Sequence, residues 1–125
     1  MVEHAPAILV VDNELGVTSA LAIRLREHGY TPFTAPSAPL AIECMRNHAI
    51  DLIITDLSMP DIDGVTLAKC IREHYTIPII ILTGYHDDFR RTLRSVSNVT
   101  VLHKPIAMQS ILDVVETELA IHARK

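Results

Sequence analysis

The sequence predicts an α/β domain: a five-stranded parallel sheet, doubly wound, with helices on both faces. Three observations carry this. Four short apolar runs, Ile8 to Val11, Leu52 to Thr55, Ile79 to Leu82 and Val99 to Leu102, are rich in β-branched residues and lack polar alternation, as fully buried parallel strands do. Amphipathic stretches with helical spacing separate them, and the connections are only a few residues long. Strand and helix alternate five times, which implies right-handed crossovers and a parallel sheet.

The elements follow in order. After the first run, Val17, Leu21 and Leu25 recur at every fourth position, and Gly29 supplies a helix stop. Thr31 to Ala35 reads as a shorter second strand. Ser37 caps the next helix, whose inner face is expected to carry Leu40, Ala41 and Cys44, with Pro39 tolerated in its first turn. Asp51 leads into the run that ends at Asp56, and Ser58 to Gly64 is a loop by its turn residues. Leu67, Ala68 and Ile71 make the third helix amphipathic, and Pro78 opens the fourth strand. A weak polar helix is expected near residues 87–96, with Phe89, Leu93 and Val96 inward. In the last helix Met108, Ile111, Leu112, Val115 and Leu119 share one face.

Bulk properties narrow the function. A chain of 125 residues can bury enough surface to fold as one domain. With 49% apolar and 21% charged residues it is globular rather than disordered. A net charge of -4 speaks against a direct nucleic-acid surface, which requires clustered Lys and Arg. No signal peptide is evident, and no apolar run approaches the roughly 20 residues that span a bilayer. Cys44 and Cys70 lie in predicted helices without metal-ligand spacing and read as small buried thiols. A cytoplasmic protein with no membrane partner is the expectation.

The chemistry gathers where the strands end. Asp12, Asn13 and Glu14 follow the first run, Asp56 the third strand, Thr83 the fourth, and His103 and Lys104 the fifth. In open α/β sheets that edge is where ligands bind. One acid there reads as a helix cap or a strand end. Two acids at neighbouring strand ends, with Lys104 at a third, read as a site for a hard divalent cation and a phosphoryl group. Lys104 precedes Pro105, which holds it in an extended or turn conformation able to aim the ammonium across the edge.

These pieces together resemble the receiver domain of two-component response regulators, and the match covers essentially the whole chain. It rests on Val10 to Glu14, on Asp56-Leu57-Ser58-Met59-Pro60 with Gly64 beyond, on Leu82-Thr83-Gly84, and on Lys104-Pro105, in that order and at fitting spacings. The resemblance implies a (βα)5 fold with the flavodoxin-like strand order 2-1-3-4-5, and a single receiver domain over residues 1–125 with no output domain. It implies a phosphorelay role: Asp56 accepts a phosphoryl group from the phosphohistidine of a sensor histidine kinase or phosphotransfer protein. Asp12, Asn13, Asp56 and the carbonyl of Ser58 would hold Mg²⁺, Lys104 would pair with the phosphoryl group, and Thr83 would hydrogen-bond it. The switched partner would be an output domain or a downstream protein. Such a domain is not an enzyme beyond its own phosphorylation and dephosphorylation.

Three positions depart from the family's usual pattern. Asn13 stands where a second acid is common, so one negative charge is missing and Mg²⁺ should bind more weakly; Glu14, next along, has a longer side chain that would supply one, but its neighbouring position is expected to point it elsewhere. Val101, three before Lys104, replaces an aromatic residue that many receivers use as a switch ring, which leaves Tyr85 as the nearest aromatic. Ser58, two after Asp56, occupies a variable position which, with Tyr85, influences phosphoryl lifetime. Arg90, Arg91 and Arg94 form either a solvated face or part of an output surface, and none of the seven histidines has ligand spacing. A pseudo-receiver, an interaction module that lost Mg²⁺-dependent phosphorylation through Asn13, is the alternative. A flavodoxin-like cofactor binder would need a Ser/Thr/Gly-rich phosphate loop after the first strand, and this sequence has acids there instead. A haloacid-dehalogenase-type phosphatase would want an acid at Ser58.

Overall fold

The structure, a computed structural model, describes residues 5–56, 64–84 and 96–123. The chain runs β1 (Ala7–Val11), α1 (Leu15–Glu27), β2 (Thr31–Ala35), α2 (Ala38–Asn47), β3 (Leu52–Asp56), α3 (Gly64–His74), β4 (Ile79–Thr83), β5 (Val99–His103) and α4 (Met108–Ala123). All five strands are parallel, in the order β2-β1-β3-β4-β5, as the resemblance implied. Except for Val96, the helix expected at 87–96 lies outside the described residues, as do Ser58 and the rest of 57–63, Tyr85, Arg90, Arg91 and Arg94.

Continuous apolar strands make sense because the sheet is covered twice. On one face Leu9, Val11, Ile53, Ile79 and Ile81 pack with Ala41 and Met45 of α2, Leu67 and Ile71 of α3, and Val96. On the other, Ile8, Val10, Leu52, Ile54 and Ile80 pack with Leu21 and Leu25 of α1 and Ile111, Leu112 and Val115 of α4. Strand alternation sends successive side chains to opposite faces, so each run must be apolar throughout.

The local signals act as anticipated. Gly29 adopts φ +89°, the left-handed turn that ends α1, and Ser37 Oγ accepts from the Leu40 N–H at 3.4 Å to cap α2. One expectation fails: Leu40 does not face inward but is 47% exposed, and the buried positions of α2 are Ala38, Ala41 and Met45. Capping by Ser37 starts the helix at Ala38, and the i, i+3, i+7 series from there fixes a phase that turns Leu40 outward. Cys44 and Cys70 are unpaired and only partly buried.

The sheet is tied together at its N-terminal edge. Ala7 N–H donates to Asp51 Oδ2 at 2.7 Å while Asp51 N–H donates to the Ala7 carbonyl at 2.8 Å. The guanidinium of Arg72 donates to the carbonyls of Tyr75 (2.8 Å), Ile77 (2.8 Å), Ser97 (2.9 Å) and Asn98 (3.4 Å). Both arrangements lie at the edge opposite the C-terminal strand ends.

Candidate active site at the C-terminal sheet edge

Asp12 leaves β1 with its N–H donating to the Ala35 carbonyl at 3.1 Å, which prolongs the sheet by one bond and fixes where its side chain begins. Asp12 is 4% exposed, and its Oδ1 accepts from the Glu14 N–H at 3.0 Å. Burial is the main reason its carboxyl lies above the ordinary aspartate range; the Glu14 N–H and Lys104 pull it down, while Asp56 and Glu14 add to the rise. Asp12 and Asp56 therefore sense each other's charge.

Asp56 is the last residue of β3, with 14% of its side chain exposed. The buried hydroxyl of Thr55 donates to the Asp56 carbonyl at 3.0 Å and steadies the backbone from which the carboxylate projects. Sequence reasoning passed over this hydroxyl, although it closes an otherwise wholly aliphatic run. Lys104 follows β5, and its Nζ lies 3.4 Å from Asp56 Oδ1. Its own N–H donates to the Thr83 carbonyl at 2.7 Å. Thr83 ends β4, fully buried and in register with His103. Asn13 and Glu14 are exposed at the rim.

The structure thus brings Asp12, Asp56 and Lys104 into electrostatic contact and sets Thr83 on the adjoining strand end. Ser58 lies outside the described residues. Val101 is partly buried against the core on the α2–α3 face of the sheet. Among the described residues no three His, Cys, Asp or Glu side chains form a ready metal cage. The donor set still fits Mg²⁺: two carboxylates, one of them buried and close enough to sense the charge of the other, are what a small hard dication with several retained waters uses. A cavity of about 470 Å³ between α2 and α3, lined in part by Ile42, Met45, Cys70 and Tyr75, holds none of these residues.

Residues 8–116 match the response regulator receiver domain family. Among curated proteins, the regulatory protein VanR of Enterococcus faecium is 39% identical over 77 residues, covering 62% of this chain and 33% of its own. The transcriptional regulatory protein KdpE of Mycobacterium tuberculosis is 34% identical over 80 residues, covering 64% and 35%. The chain spans about a third of the length of these relatives. Among solved structures, the signal receiver domain of an HD domain-containing protein from Pseudomonas fluorescens Pf-5 superposes with a TM-score of 0.91 at 26% identity, covering 98% of this chain and all of that one (100%). A response regulator receiver protein from Pseudomonas putida gives 0.85 at 29%, covering 94% and 100%.

Proposed function

Because the chain belongs to the response regulator receiver family, we propose that it accepts a phosphoryl group on Asp56 from a kinase or phosphotransfer-protein phosphohistidine and thereby switches an output domain or partner protein. The 3.4 Å approach of Lys104 to Asp56, beside the buried carboxyl of Asp12, is the observation that carries the proposal. A carboxylate is a nucleophile at neutral pH without a general base. An Asp56 oxygen attacks phosphorus, the P–N bond breaks, and the imidazole leaves with its electron pair. In-line transfer needs positioning and charge neutralisation above all. Lys104 provides a cation for the phosphoryl oxygens, and Thr83 a hydroxyl on the neighbouring strand end.

Asp12, Asp56, Asn13 and the Ser58 carbonyl are the groups that would hold Mg²⁺. When bound, the ion would neutralise charge on the phosphoryl group and screen Asp12 from Asp56. The Asp56–Lys104 pairing supports this reading over the pseudo-receiver. No helix among the described residues is long and apolar enough to cross a membrane, and a cytoplasmic location fits the proposed phosphoryl donor.

Intact-mass measurement after incubation with Mg²⁺ and acetyl phosphate tests the proposal. The wild-type chain should gain one phosphoryl group and Asp56→Ala none. An unmodified wild type at millimolar Mg²⁺ sinks it.

A further inference from the structure

We propose that Glu14 supplies the charge that Asn13 lacks, acting on the bound cation through the cation's own water shell rather than as a direct ligand. The inference rests on the reading that this edge takes Mg²⁺. Asp12 and Asp56 bring two negative charges to it and Lys104 returns one, so the described site opposes a dication with a single net charge. Asn13 is exposed and neutral. Glu14 is the next acid along the chain.

Its geometry suits the role. Glu14 is the N-cap residue of α1, yet its side chain makes no capping hydrogen bond. Among the described residues its exposed carboxylate has no hydrogen-bond or ion-pair partner. Its backbone is held at the site, because the Glu14 N–H donates to Asp12 Oδ1 at 3.0 Å. Its charge also reaches Asp12, whose carboxyl it helps to raise. No three acids close on one point among the described residues, so Glu14 does not complete a three-carboxylate cage with Asp12 and Asp56. Mg²⁺ surrenders its waters reluctantly, so an acid one water layer away acts on it without displacing any of them.

Titration of Mg²⁺ into the ¹⁵N-labelled full chain, followed by amide shifts, tests this without any phosphoryl transfer. Glu14→Gln should raise the Mg²⁺ Kd about threefold at low salt, the size expected for one charge acting on a dication across water. Glu14→Lys should raise it about tenfold, Asn13→Asp should lower it, and added KCl should shrink the Glu14 effects. Glu43→Gln, an exposed acid on α2, should match wild type. Melting the metal-free variants separates loss of a helix-terminus charge, which changes Tm alone, from loss of cation attraction. Equal Kd values for wild type, Glu14→Gln and Glu14→Lys would overturn the inference and leave the function standing. A wild type with no Mg²⁺-dependent shifts would overturn the cation site and the inference together.

Discussion

The N–H of Lys104 donates to the carbonyl of Thr83 at 2.7 Å, and the same residue reaches Asp56 with its side chain. The lysine is thus anchored by its backbone to the end of one strand and paired through its ammonium with the end of another. An ammonium that starts from a fixed point loses little freedom in meeting a phosphoryl group.

Lys104→Met should therefore leave the fold in place while disabling the chemistry. The ion pair is partly open, with Lys104 37% exposed, so its loss should change stability by no more than about 1 kcal/mol. Labelling of Asp56 by acetyl phosphate should slow on the order of a hundredfold or more, the usual effect of removing one preorganised group that meets developing charge. Thermal melts and labelling rates on the same sample check both halves. A large loss of Tm would make the lysine structural.

Arg72 should behave in the opposite way. Its guanidinium ties the end of α3 and the turn that follows it to the carbonyls of Ser97 and Asn98 just before β5, at the sheet edge remote from Asp56. Arg72→Ala should cost roughly 2–3 kcal/mol by denaturant titration, because several carbonyls lose a charged donor at once. Arg72→Lys should recover little, since a single ammonium cannot span the fork. Asp56 labelling of the folded fraction should be unchanged.

The contrast between Leu40 and Met45 shows what was legible and what was not. Buried parallel strands are apolar at every position, so β1, β3 and β4 stand out from composition alone. The phase of α2 does not, because it depends on where Ser37 caps and on which side meets the sheet. Met45→Ala should cost about 2–4 kcal/mol and Leu40→Ala under about 0.5 kcal/mol, as urea midpoints would report.

At the strand ends, the positions of Asp12, Asp56, Thr83 and Lys104 were readable because each ends a strand or directly follows one, and parallel strands deliver their ends to one edge. Arg72 and Asp51 left no such mark. Both recognise main-chain groups, which every residue possesses, so neither has a partner type to find in the sequence.

Asp12 yields the last prediction. Its folded carboxyl lies above the usual 3.8, chiefly through burial. A raised acid contributes stability that is fully present below pH 3.8 and is lost as pH rises through the folded value. At neutral pH the metal-free protein therefore bears the cost of burying the Asp12 carboxyl beside Asp56. Asp12→Asn removes that charge and keeps an oxygen able to accept the Glu14 N–H. In the absence of Mg²⁺ at pH 7 the variant should melt a few degrees higher than wild type, the scale set by about 1 kcal/mol in a domain of this length. Near pH 3.5, below the usual aspartate value, the gap should close. Added Mg²⁺ should raise the wild-type Tm by mass action and leave the variant nearly unmoved. Calorimetry at the two pH values, with and without the ion, gives all the comparisons. A variant less stable than wild type at pH 7 without metal would show that the Asp12 carboxylate holds the fold together rather than straining it.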